Sequence, residues 1–169
     1  LVQRCEGVRR VIPCELRRWR KAPFAAATRA QWKIFKTELQ VEAYDAVIDL
    51  QGLSKSALVA WLALLVTGGK RYALANRTEG SGYEVPTRWV ADVAVRIAPH
   101  VHAVQRSREL CARALGYALP MQEIYGLHPQ VASERVAVGM IAVRPVVALV
   151  HGTSRADKQW PIEHWATLA

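Results

Sequence analysis

Two short apolar runs, AVIDL at 46–50 and VVALV at 146–150, each stop at a small polar loop and lead into a helical pattern. A run this short, apolar at nearly every position, fits a strand buried on both faces of a parallel sheet. Parallel neighbours cannot be joined by a hairpin, so helical segments between strands are what such a sheet demands. The chain is therefore expected to be α/β. Loops from the carboxyl end of a parallel strand to a helix amino terminus present unpaired N–H groups and a positive dipole end, an arrangement suited to phosphate.

The loop after the second run reads HGTSRADKQWP. Gly152 gives backbone freedom, Thr153 and Ser154 give two hydroxyls, and Lys158 adds a mobile full charge. Pro161 and Glu163 suit the first turn of the following helix. Neither GxxxxGK[ST] nor GxGxxG follows a predicted strand, which disfavours a nucleoside triphosphatase or a dinucleotide oxidoreductase. On spacing alone, Thr153 and Ser154 capping a turn beside a surface lysine is an equally good account.

Along the chain, 7–13 reads as a short strand, and the basic segment after it, closed by Pro23, as a surface loop or irregular helix. A helix over 28–42 would put Trp32, Phe35 and Leu39 on one face, with Arg29, Lys33 and Lys36 largely on the other. A strand at 46–50, a tight loop at 51–54 and an apolar helix over 55–66 make half of a βαβ unit. Gly68 and Gly69 would end that helix, and 72–75 would form the next strand. Helices are expected over 87–97 and 103–115, the second stopping at Gly116. Periodicity weakens from 117 to 144, and the interdomain passage is placed near 130–142.

Charge is concentrated at one end. Residues 1–36 hold ten Lys or Arg against Glu6 and Glu15, a net of +8 within a chain total of +9. Such a patch seeks a polyanion, and nucleic acid, anionic membrane and phosphorylated glycolipid all qualify on charge alone. Three cysteines, Cys5, Cys14 and Cys111, lie at neither CxxC nor zinc-ligand spacing, so no disulfide framework or metal site is expected and a reducing compartment fits. The histidines are scattered without the i, i+4 spacing of a helical zinc pair. His151 borders the 151–161 loop, where a structural hydrogen bond and a substrate contact are both open to it.

Four blocks, RRVIPCELRRWRKA at 9–22, YDAVIDLQGLSKSAL at 44–58, HAVQRSRELCARALGY at 102–117 and HGTSRADKQWP at 151–161, resemble the lipopolysaccharide heptosyltransferases of glycosyltransferase family 9. They occur in that family's order and at similar spacing. The HxTxRxxKxWP form is nearer to the type that adds the first heptose than to those that add later ones. The resemblance implies a GT-B fold with two Rossmann-like domains: residues 1–135 as an acceptor-binding domain incomplete at its start, and 136–169 as the beginning of a truncated donor-binding domain.

The implied chemistry is inverting transfer of L-glycero-D-manno-heptose from ADP-L-glycero-β-D-manno-heptose to a Kdo sugar of Kdo-lipid A in the lipopolysaccharide inner core, without a metal or other cofactor. By resemblance, Thr153, Ser154 and Lys158 contact the donor, and Lys158 meets charge developing on the departing ADP. Arg17, Arg18, Arg20 and Lys21 match the family's site for acceptor phosphate and carboxylate groups, a task for which a guanidinium fork is suited. Arg77 matches a further acceptor arginine on a weaker local alignment. The family's general base lies in a Gly-Asp loop upstream of this chain, so the fragment alone is expected to be inactive. Asp49 is expected to be scaffold. Trp19 is expected to pack the basic loop down rather than lie against a sugar. Lys55 and Ser56, opening a helix after a strand, are read equally well as an anion site and as capping.

A monomer in the cytoplasm is expected, touching the inner face of the inner membrane through the basic region. A later-acting heptosyltransferase is the near alternative. A basic nucleic-acid-binding α/β domain, using Trp19 and Trp32, is the alternative from another class, though no recognised nucleic-acid motif is present and the main reading includes no nucleic acid.

Overall fold

The computed structural model describes residues 2–126 and 159–168, and the chain divides into two compact units, Leu1–His128 and Pro129–Ala169. The first unit carries α1 (Leu16–Trp19), α2 (Ala26–Leu39), β1 (Tyr44–Asp49), α3 (Ser54–Leu62), β2 (Leu65–Leu74), α4 (Thr87–Val90), β3 (Val93–Val95) and α5 (Ala103–Leu115). Its three strands form a sheet in the order β1-β2-β3, with both pairings parallel. The expected parallel α/β architecture is borne out.

Strand alternation divides the core between the two faces of the sheet. Val47 packs with Trp19, Phe35, Leu39 and Ala63, from α1, α2 and the end of α3. Its neighbour Ile48 packs with Leu74, Val95, Ile97 and Leu110, which brings α5 to the opposite face. Phe35 is 3% exposed and Leu110 1% exposed, so truncating either to Ala should cost about 3 to 5 kcal/mol. The carboxyl end of α3 is closed by side chains: Arg71 donates to the carbonyls of Ala60 (2.9 Å) and Ala63 (3.0 Å), and Gln40 to that of Leu62 (2.7 Å).

Helix α2 has its expected inward face and begins two residues early, at Ala26. Helix α5 spans the expected 103–115, and Gly116 follows in the left-handed conformation at φ 72°. The basic segment is the expected irregular helix, one short turn followed by bends.

Three expectations fail. Residues 8–13 have no regular secondary structure, because they join no ladder and short β-branched runs hold strand form only when paired. The apolar helix stops at Leu62, and Leu65 and Val66 belong to β2, with Gly68 and Gly69 inside that strand. Tyr44 pairs with Leu65 but Ala46 with Lys70, so β2 bulges between them. Gly68 takes φ +83°, and a Cβ on Gly69 would sit 2.8 Å from the Tyr44 carbonyl oxygen; the glycines serve the bulge, not a helix end. The 87–97 segment holds only one turn of α4 before β3. Asp92 drives the switch: its backbone N–H donates to the Arg71 carbonyl at 2.9 Å, its carboxylate accepts the Arg71 N–H at 2.7 Å, and β-branched Val93 and Val95 continue the ladder.

In the second unit, α6 (Ile162–Leu168) begins directly after Pro161, with Glu163 in its first turn, as the sequence implies. The expected strand at 146–150 and the passage near 130–142 lie outside the described residues. Among the described residues, no helix is long and apolar enough to cross a membrane.

Candidate functional site

The carboxyl end of β1 is organised by a buried carboxylate. Asp49, 6% exposed, accepts the Gln51 and Gly52 N–H groups on Oδ1 (2.9 and 3.1 Å) and the Ser56 hydroxyl on Oδ2 (3.0 Å). Ser56 Oγ also accepts the Leu53 N–H at 3.1 Å, so Ser56 caps α3. Of the two readings of Ser56, capping is the one the geometry supports, and Asp49 is scaffold as expected. Glu84 ties a second loop to this corner: its carboxylate accepts the hydroxyl and the backbone N–H of Ser54, and its own N–H donates to the Gly52 carbonyl at 2.9 Å. The Ser54 hydroxyl, then the Ser54 N–H, hold the Glu84 carboxyl below its ordinary range.

Beside this corner the basic turn lies over the aromatic cluster. Trp19 is buried; its indole N–H donates to Gln31 Oε1 at 2.8 Å, and its ring meets Trp32 edge-on at a 5.7 Å centroid distance. Packing is thus the role the structure gives it. With Trp19 pointing inward, the flanking Arg17, Arg18, Arg20 and Lys21 are turned to solvent. Arg18 pairs with Glu15 at 3.0 Å. Arg17, Arg20 and Lys21 have no side-chain partner among the described residues.

Two of these cations, Arg17 and Arg20, face two cavities, while Arg18 and Lys21 line neither. One of about 780 Å³ runs along β1 and its carboxyl end, walled by Arg10, Cys14, Arg17, Asp49, Gln51 and Lys55 among others. Desolvation by its neighbours pushes the Cys14 thiol up from its ordinary value, although the residue is exposed at the surface. A second cavity of about 620 Å³ is walled by Trp19, Arg20, Arg29, Trp32, Lys55 and Leu58, with no acidic residue in its lining among the described residues. Arg17 and Arg20 therefore serve different openings, and Lys55 borders both. Arg77 lines neither cavity and stands exposed just beyond the carboxyl end of β2. Thr153, Ser154 and Lys158 lie outside the described residues.

Sequence reasoning missed Arg10 and Arg29 as lining groups; Lys55, which it names as a candidate anion-site residue, borders both cavities. Arg29, expected largely opposite Trp32, instead lies three residues before it on α2 and lines the same cavity, because side chains at i and i+3 are neighbours on a helix; that spacing was the available signal. Among the described residues, no group of three His, Cys, Asp or Glu side chains is placed to hold a metal.

The first unit is a parallel α/β domain of Rossmann-like type, with basic side chains in the lining of both cavities. Residues 32–169 match the family model of glycosyltransferase family 9 (heptosyltransferase), and the chain belongs to that family. It is 42% identical over 165 residues to lipopolysaccharide heptosyltransferase 1 of Escherichia coli strain K12, covering 96% of this chain and 48% of that protein. The corresponding Pseudomonas aeruginosa protein is 36% identical over 164 residues, covering 96% of this chain and 43% of that protein.

The solved structure of E. coli heptosyltransferase WaaC with ADP matches with a TM-score of 0.73 at 36% identity, covering 98% of this chain and 49% of that one. WaaC with ADP-2-deoxy-2-fluoro heptose gives the same TM-score and identity, covering 98% of this chain and 50% of that one. The fold is thus of the expected GT-B type. The chain spans about half the length of the curated relatives it matches.

Proposed function

We propose that the protein to which this chain belongs is an inverting transferase that moves L-glycero-D-manno-heptose from ADP-heptose to a Kdo sugar of Kdo-lipid A, building the lipopolysaccharide inner core. The observation that carries this reading is likeness over 98% of the chain to a heptosyltransferase solved with ADP-2-deoxy-2-fluoro heptose. The cation-lined cavities beside β1 add independent support, since an acceptor bearing phosphate and carboxylate groups needs such cations.

In this reading residues 1–135 bind the acceptor through Arg17, Arg18, Arg20, Lys21 and Arg77, and 136–169 begin the donor domain with Thr153, Ser154 and Lys158. Transfer uses no metal, so the cation nearest the departing diphosphate carries the charge stabilisation. The enzyme works as a monomer in the cytoplasm, against the inner face of the inner membrane where a lipid acceptor is anchored, and nucleic acid has no part in it.

The test is transfer by the complete protein, assayed with ADP-heptose and Kdo-lipid A with and without a first heptose already attached. Activity confined to the unheptosylated acceptor is expected; activity only on the heptosylated one identifies a later-acting enzyme instead. Lys158→Ala should lower turnover by about tenfold to a thousandfold, roughly 1.4 to 4 kcal/mol of transition-state stabilisation. Near-normal turnover, or a strict need for added divalent metal, overturns the metal-free mechanism.

A further inference from the structure

Arg106 is the one buried charged side chain of α5, 9% exposed, and it lies on the face that also buries Leu110 and Ala114. Among the described residues it has no carboxylate partner, and its Nε–H has no hydrogen-bond partner. A buried guanidinium left this short of partners lowers stability, and an apolar side chain would pack there at less cost. Its one hydrogen bond among the described residues indicates what it holds: Nη1 donates to the buried hydroxyl of Thr78 at 3.0 Å, in the loop that follows β2.

From there a directed chain continues. The Ser81 hydroxyl donates to the Thr78 carbonyl (2.8 Å), which leaves the Thr78 hydroxyl to donate to Ser81 Oγ (3.0 Å). Successive hydroxyls of this kind polarise one another. Asn76 fixes the other side of the loop. Its amide bonds the Ile97 N–H (3.0 Å) and carbonyl (2.9 Å), and also donates to the Arg77 carbonyl at 2.9 Å. The Asn76 amide thus holds the Arg77 backbone at its carbonyl, and the next residue, Thr78, is held through the hydroxyl that Arg106 grips. The Arg77 guanidinium is exposed and unpartnered among the described residues, at the carboxyl edge of the sheet where ligands of open α/β folds bind.

We propose that Arg106, through Thr78, is a positioning residue that presents the Arg77 guanidinium to an anionic group of the acceptor. The inference rests on the acceptor role proposed above for Arg77. Arg106 does not touch the acceptor; it fixes the loop so that Arg77 binds without first ordering its backbone.

The experiment is a double-mutant cycle in the complete enzyme, reading KM for Kdo-lipid A and for ADP-heptose separately. Arg77→Ala should raise the acceptor KM about tenfold. Arg106→Met should raise it by a similar factor, leave the ADP-heptose KM within about twofold, and add nothing further in the Arg77→Ala background. Thr78→Val, which removes the hydroxyl that Arg106 grips at nearly constant volume, should repeat the pattern if Arg106→Met fails to fold. Arg106→Lys should restore part of the loss. If Arg77→Ala leaves the acceptor KM unchanged, the acceptor role of Arg77 falls and the positioning role with it. If Arg77→Ala acts but Arg106→Met and Thr78→Val multiply with it, or raise both KM values alike, the positioning role alone is overturned.

Discussion

The corner from Asp49 to Ser56 and the turn from Glu15 to Lys21 border the same cavity, and both are polar, yet they use their polar groups in opposite ways. At the corner, the Asp49 carboxylate, the Ser56 hydroxyl and the Ser54 hydroxyl are all consumed by neighbouring backbone and side chains. Of the turn's four basic side chains, Arg18 pairs with Glu15, while among the described residues Arg17, Arg20 and Lys21 are left open by the inward turn of Trp19. Groups that a fold has already satisfied hold the scaffold. Groups it leaves unsatisfied beside a cavity are the ones with binding energy still to give.

The contrast makes sharply different predictions for the two regions. Asp49→Ala strips acceptors from the buried Gly52 N–H, the part-buried Gln51 N–H and a hydroxyl and should lower stability by about 3 kcal/mol, read from the urea midpoint of the complete protein. A loss under about 1 kcal/mol breaks the claim that the corner is scaffold. Gly69→Ala should cost about 2 kcal/mol by the same measurement, since the new Cβ meets only backbone oxygens that cannot rotate away. A neutral outcome means the bulge in β2 yields more easily than its geometry implies.

The smallest effect concerns Glu84. The folded protein holds this carboxyl below its ordinary range, so the Ser54 contact stabilises fully above the ordinary glutamate range and is lost as pH falls through the lowered folded value. Glu84→Gln should flatten a slight acid-side decline in melting temperature. An unchanged acid limb removes Glu84 from the corner's support.

Much of this was legible in sequence, and the failures share one cause. Strand β1, helix α2 and helix α5 declare themselves because their apolar patterns are complete within the segment, and Gly116 marks the end of α5. Residues 8–13, the Leu65–Val66 start of β2 and β3 do not, because strand form there depends on a partner elsewhere in the chain. The Val93–Val95 run is only three residues long and sits inside a pattern that passes for helix until Asp92 is seen bonding Arg71. The same divide runs through the site. The cluster of Arg17 to Lys21 is visible as composition and Lys55 as the start of a helix after a strand, whereas the place of Arg10 in the cavity wall and the burial of Arg106 exist only in three dimensions.

The most direct test of the central claim is kinetic: Arg17→Gln combined with Arg20→Gln in the complete enzyme, with KM for Kdo-lipid A, KM for ADP-heptose and thermal stability measured on the same preparation. The account predicts an acceptor KM raised by about tenfold or more, with the donor KM nearly unchanged and stability within about 0.5 kcal/mol of the parent. An equal rise in both KM values, or a loss of stability with no change in acceptor KM, contradicts it.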